Sequence, residues 1–276
     1  MDALTRRAAG DASLPGEWVG RVRWVGERYG ARLAWIGIVA YVLYAGSILG
    51  VTPARLWAGL GHGRVFLGRL LPPDFVTRWW DIQHDMLESL EIAILASVFG
   101  ILLSLPLGLL AARNLMPAWV TWPVRLSISV SRSFHPVIVG IVFVKAIGFG
   151  PLAGVLTLAV ASIGFIGKLF TEAIEEISLK QVEAVRATGA SFLNVLIFGV
   201  LPQVSARFVG FSTYQLDSNL RNSTILGIVG AGGIGGTLLA AFQRFDYHIV
   251  CAIVIVIIAL IMIGELISER IQRLFQ

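Results

Sequence analysis

Glu183-Ala184-Val185-Arg186-Ala187-Thr188-Gly189, followed by an apolar stretch that closes on Leu201-Pro202, lies between segments long enough to span a bilayer. The stretch is too charged for hydrocarbon and too rich in helix formers for a bare linker. Glu183, Ala184, Ala187 and Ala190 favour helix, and Gly189 stands where a helix ends or turns sharply. Ser191 is placed to cap a second helix, which Pro202 would end or kink. The pattern predicts a short helix, a glycine turn and a second helix at the membrane surface. Spacing alone leaves open whether this is a docking element or an ordinary helical hairpin between two spans.

Working outward, the chain of 276 residues is 56% hydrophobic and 14% charged, against about 25% charged for a soluble domain. Lipid must be much of its solvent. A spanning helix needs about 20 mostly apolar residues, and Leu33 to Val51, Leu90 to Ala112, Pro151 to Phe170 and Ile249 to Ile267 meet that requirement. Two further spans are more polar. Leu126 to Ile147 carries Arg132, His135 and Lys145, while Phe208 to about Leu239 mixes polar residues with many glycines. The expectation is therefore an all-α integral membrane protein of about six helices. It divides into a basic leader (1–32), a first span (33–51), an external loop (52–88) and a core (89–276) containing the surface element at about 171–202.

The net charge of +5 calls for no nucleic acid, because arginines collect at the cytoplasmic face of membrane proteins and near lipid head groups. Six arginines (Arg6, Arg7, Arg21, Arg23, Arg28, Arg32) precede the first span, a region too long for an ordinary signal peptide. A retained anchor with a cytoplasmic N-terminus follows. With six spans the C-terminus, with Arg270 and Arg273, is cytoplasmic too, and so are Arg113, Arg125 and the loop carrying Lys168, Lys180, Arg186 and Arg207. Arg55, Arg64, Arg69 and Arg78 oppose this, but Asp74, Asp81, Asp85 and Glu88 balance them in the longest outside loop, where Leu71-Pro72-Pro73-Asp74-Phe75 marks a turn. In the leader, Trp18, Val22, Val25 and Tyr29 fall at helical spacing, as in an interfacial helix; a basic tail is the other reading. The lone Cys251, within an apolar run, excludes an internal disulfide.

An arginine at the bilayer centre costs about 2.5 to 3.5 kcal/mol, so Arg132 and Arg221 should face protein or water. Arg125, Ser129 and Arg132 share one helical face; Gln215, Asn219 and Asn222 form a similar stripe, and Asp217 can pair with Arg221 one turn later. Two polar stripes can line a path for an anion, with Arg132, His135, Asn219, Arg221 and Asn222 as candidates. They can equally be satisfied structural groups, and His135 beside Pro136 can be a kink. Gly230-Ala231-Gly232-Gly233-Ile234-Gly235 fits G-x-G-x-x-G, but the dinucleotide fingerprint needs a strand, a helix and a second strand with an acidic residue. Here a membrane span follows, so Gly230, Gly232, Gly233 and Gly235 are read as close helix packing or a gate. The four histidines lack metal-ligand spacing, and neither a nucleophile motif nor a Walker A sequence is present. The chain is not expected to be an enzyme.

Glu183-Ala184, Gly189 and Leu201-Pro202 stand at the intervals of the coupling loop of ABC importer permeases, Glu-Ala-Ala, three residues, Gly, nine residues, Ile-x-Leu-Pro, with Val185 and Gly199 departing from it. Further phrases resemble the phosphonate importer permeases, among them Pro72-Pro73-Asp74-Phe75, Pro106-Leu107-Gly108-Leu109, Gly148-Phe149-Gly150-Pro151-Leu152-Ala153-Gly154-Val155, Gly199-Val200-Leu201-Pro202-Gln203-Val204 and Val229-Gly230-Ala231-Gly232-Gly233-Ile234-Gly235. The resemblance runs from about residue 71 to the C-terminus and departs at Ser133-Phe134-His135-Pro136. It implies a type I ABC importer permease fold in the cell inner membrane, working as a homodimer. Glu183, Ala184, Arg186, Gly189 and Pro202 would couple it to an ATPase subunit dimer, which binds the ATP and Mg; the chain itself needs no cofactor. An external binding protein would deliver phosphonate. Phosphite, hypophosphite or an amino-acid-like solute are alternatives within the class, and an ion-coupled secondary transporter is the alternative outside it.

Overall fold

The computed structural model describes residues 16–275, with side chains from 30 to 273. Arg6 and Arg7 and the side chains of Trp18, Val22, Val25 and Tyr29 lie outside the described residues. The chain divides between Gly68 and Arg69 into two compact units. No strand occurs among the described residues.

In the first unit, helix α1 (Gly16–Ile48) contains an apolar span from Gly30 to Ile48. Leu33, Trp35, Ile36, Tyr41, Leu43 and Ile48 are all more than half exposed. So apolar a helix calls for an apolar surrounding, as a membrane span has. Gly50 ends it at φ +65. Thr52 then caps α2 (Pro53–Leu70), its Oγ1 accepting from the Arg55 amide at 3.3 Å, with Pro53 pre-set at the first helical position. The expected long loop over 52–88 is therefore mostly helix. Only residues 71–78 connect.

The second unit is built around α6 (Pro151–Glu175), which is flanked by α3 (Trp79–Ala111), α4 (Ala118–Ser133), α5 (Pro136–Ile147) and α9 (Leu201–Leu226). Small residues let these helices approach closely. A Cβ on Gly100 would lie 2.3 Å from the Cβ of Ser162, and one on Gly108 would lie 2.5 Å from the Phe170 ring.

The expected third span is not one helix. The chain breaks at Phe134 and His135, and α4 and α5 meet at 95°. Pro136 denies helical geometry to the residue before it, and His135 sits at φ −67, ψ 138 with its Nδ1 accepting from the Val137 amide at 3.3 Å. His135 is thus the cap of α5, in line with the kink reading. The expected fifth span also shifts. Its helical run covers Phe192–Val229, and residues after the glycine turn belong to a separate α10 (Ile234–Gln243) before α11 (Tyr247–Phe275). Among the described residues, five helices are long and apolar enough to cross a membrane, or six if the bent pair counts as one span.

Between α6 and α9 lie α7 (Leu179–Ala187), a three-residue α8 (Phe192–Asn194) and a π-helical segment, Val195–Val200. Pro202 does not end the run; it opens α9 as the π segment closes. Proline lacks an amide and crowds the carbonyl four residues back, and the wider π turn absorbs that conflict.

Candidate coupling surface and translocation face

Helix α7 shows how an exposed loop can be rigid. Val182, 2% exposed, packs with Phe170, Val195, Val200 and Val204, and Val185 backs it. Glu183, Ala184, Arg186 and Ala187 point the other way and are exposed. The entry to α7 is tied to α9, because Gln203 Oε1 accepts from the Ser178 amide at 3.0 Å while Gln203 Nε2 donates to the Gly199 carbonyl at 2.6 Å. Arg207 pairs with Glu176 at 2.6 Å beside it. Gly189 closes the helix at φ +80, a conformation side chains resist, and its amide donates to the Arg186 carbonyl at 2.9 Å. Ser191 occupies the cap position of the next helix, but its side chain makes no capping bond.

The base of this element is joined to α3 and α4. Glu175 accepts from the Arg113 amide at 2.9 Å and pairs with Arg125, whose Nε also donates to the Ala111 carbonyl at 2.8 Å. Asn114 Nδ2 donates to the Ile174 carbonyl at 2.7 Å. Arg125, expected on a polar stripe, is therefore a structural clasp. The coupling candidates Glu183, Ala184, Arg186 and Gly189 share one surface, with Pro202 behind it at the head of α9.

The second expected stripe splits. Asn219 is fully buried: its Nδ2 donates to Ser97 and Ser162, each at 2.9 Å, and its Oδ1 accepts from Gln215 at 2.9 Å. Gln215 also donates to Ser162 at 3.0 Å. This closed network joins α3, α6 and α9, so in this conformation Asn219 and Gln215 are core and line no path. On the opposite face of α9, Tyr214, Asp217, Ser218, Arg221 and Ile225 follow one another at helical spacing. Arg221 is half exposed and pairs with the largely buried Asp217 at 2.8 Å, while Asn222 donates to Ser218 at 3.3 Å. Arg132 is exposed as well, its stem lying over Gly164, where a Cβ would meet Arg132 Cγ at 2.9 Å. Ser97 and Ser162 were missed in the sequence; lone hydroxyls inside apolar spans were the available signal.

The glycine motif is a packed turn. Gly230, Gly232 and Gly233 all have φ above +80. A Cβ on Gly235 would sit 2.0 Å from the Thr224 carbonyl oxygen, and one on Gly233 would sit 2.4 Å from Ser89 Oγ, which accepts from the Ile234 amide at 2.9 Å. Near this turn His84, Asp85 and Glu88 bring ligand atoms within 4.8 Å of one another, a grouping that histidine spacing alone did not reveal. Asp85 in it accepts from the Thr237 hydroxyl. At the same end Asp74 accepts from the amides of Val76 and Thr77, at 2.8 and 3.0 Å, and from the Thr77 hydroxyl. The Thr77 hydroxyl, then these amides, hold its carboxyl below the usual carboxylate range.

An all-helical chain of long apolar helices, with polar residues exposed on one of them, has the architecture of a membrane transport subunit. The family described as "Binding-protein-dependent transport system inner membrane component" matches residues 104–276, and the chain belongs to it. It is a type I ABC importer permease subunit, which is not itself an enzyme. Over 85% of its length it is 39% identical to the phosphate-import permease protein PhnE of Mycolicibacterium smegmatis, spanning 44% of that longer protein. It is 36% identical to the phosphite transport system permease protein PtxC of Stutzerimonas stutzeri, covering 87% of this chain and 86% of that one. A putative cryptic phosphonate transport system permease protein, PhnE2 of Escherichia coli, is 40% identical over 44% of this chain and 98% of its own. Among solved structures, an inward-facing MetNI methionine ABC transporter chain superposes with a TM-score of 0.64 at 24% identity, over 72% of this chain and 98% of that one. That match supports the fold alone.

Proposed function

We propose that this chain is the membrane-spanning subunit of an ATP-driven importer of small phosphorus oxyanions, phosphonate foremost. The observation that carries the cargo class is that relatives at 36 to 40% identity are named for phosphate, phosphite and phosphonate import. Arg221 and Arg132 on exposed faces supply charge-assisted donors suited to such oxygens. Two copies would enclose the pathway between those faces, with both termini cytoplasmic and the membrane the cell inner membrane. A separate ATPase dimer would dock on Glu183, Ala184, Arg186 and Gly189, and an external binding protein would load the opposite side. Closure of the ATPases on ATP would draw the two α7 helices together. The clasp through Gln203 and the Val182 packing would then transmit that movement to α9, and Glu175 would transmit it to α3 and α4.

The test is uptake into proteoliposomes holding the chain, its ATPase and its binding protein, with phosphonate, phosphite and phosphate offered in turn. ATP-dependent phosphonate uptake is the expected result. Phosphite preferred over phosphonate would move the cargo to the alternative. Uptake driven by an ion gradient with no ATPase present would refute the reading.

A further inference from the structure

Beside α7, a crevice runs between the α3–α4 connection, α4 and α6. It consists of two adjoining hollows of about 430 and 240 Å³ that share Arg113, Arg125 and Ser129. The outer hollow is walled by Trp122 and Leu126; the inner one adds Lys168 and Thr171. Two carboxylates adjoin it: Glu175 is clasped by Arg125, and Glu172 pairs with Lys168 at 2.7 Å. Three cations against two carboxylates leave an excess positive charge. The Arg113 guanidinium makes no ion pair within 4.0 Å among the described residues, although its charge reaches Glu175, which accepts from its backbone amide. Thr171 donates its hydroxyl to the Gly167 and Gly108 carbonyls, so the donors left to the crevice are those of its cations.

The rim has a different character. Trp119 and Trp122 are 79% and 70% exposed on the first turns of α4, and Leu126 and Val130 continue an exposed apolar track along the same helix. Tryptophan above an apolar track marks the depth where head groups meet hydrocarbon. Cations set just inside such a rim match a phosphodiester with acyl chains attached better than a free ion, which would have no use for the track. We propose that this crevice binds the phosphate of an anionic membrane phospholipid, with the acyl chains lying along α4 past Leu126 and Val130. A lipid held there would brace the clasp that roots α7.

The test uses the full permease in nanodiscs of phosphatidylcholine with a minor share of phosphatidylglycerol, followed by mass measurement of the lipids retained on release. Retention of phosphatidylglycerol over phosphatidylcholine is expected. Arg113→Gln and Lys168→Gln should each lower that preference about fivefold, the value of one cation near a charged membrane surface. Arg244→Gln, at the opposite end of the bundle, should leave it unchanged. The two variants keep the Arg125–Glu175 clasp, and unfolding temperature in plain phosphatidylcholine shows whether the fold is intact. Equal retention of both lipids, or an unaltered preference in the folded variants, overturns the proposal. Displacement of the lipid by millimolar inorganic phosphate also overturns it, assigning the crevice to a free anion.

Discussion

Asn219 separates two accounts of the same residue, one in which it lines a path and one in which it fastens three helices. Replacing it with alanine removes bonds to Ser97 and Ser162 and the one received from Gln215. Hydrogen bonds between membrane helices are worth about 0.6 kcal/mol each by double-mutant cycles, so the two to Ser97 and Ser162 give about 1 kcal/mol. The side chain is fully buried, so the loss is not recovered through water, and the orphaned Gln215 amide adds to it. The expected outcome is a permease less stable by at least about 1 kcal/mol when unfolded by denaturant in bicelles, with Asn219→Ala and Ser97→Ala coupled in a double-mutant cycle. Apparent affinity for cargo should be nearly unchanged in the fraction that remains folded. Unaltered stability together with weakened cargo affinity would refute the fastening role and return Asn219 to the pathway.

Other expectations follow from the same geometry. Glu183→Lys or Gly189→Trp should leave the chain inserted but strip the ATPase in co-purification, since both alter the exposed side of α7 and not Val182. Gly235→Ala should abolish stable expression, because its Cβ would lie 2.0 Å from a backbone carbonyl, whereas Gly236→Ala, with nothing nearer than 3.5 Å, should be tolerated; equal yields of the two would contradict the packing. Asp74 titrates below its ordinary value in the folded chain. Its contribution to the 71–78 turn is therefore present above the ordinary carboxylate range and lost as pH falls through the depressed value. Asp74→Asn should flatten the acid dependence of amide protection in that turn; an unchanged profile would show that the hydrogen bonds to Thr77 do not persist in solution.

Much of the fold was legible because hydrocarbon imposes few solutions. Long apolar runs read directly as spans, and α3, α6 and α11 extend past the expected limits mainly because helices do not stop at the bilayer surface. The motif around Gly189 was equally plain, since glycine at φ +80 leaves little choice of turn. Orientation about a helix axis was harder to read. Gln215, Asn219 and Asn222 share a stripe on a helical wheel, yet two face the core and one faces Ser218, because the partners that decide this, Ser97 and Ser162, lie far away in sequence. Arg125 likewise looks like a pathway residue until Glu175 and the Ala111 carbonyl are brought beside it. The 95° break at His135 was signalled by Pro136, but its size depends on how α4 and α5 each pack on α6.

The π segment at Val195–Val200 carries one residue more than an α-helix of the same rise would hold. Each residue of an α-helix turns the chain by about 100°. Because the wide turn takes up that extra residue, deleting a single residue between 195 and 200 would restore regular winding and leave α9 close to its present phase, with Asn219 still against the serines of α3 and α6. A deletion in the regular part of α9 ahead of Asn219 has no such slack and would turn Asn219 away from them by about that angle. The π segment is thus a place where the length of chain between α7 and the polar face of α9 can change without a change of phase.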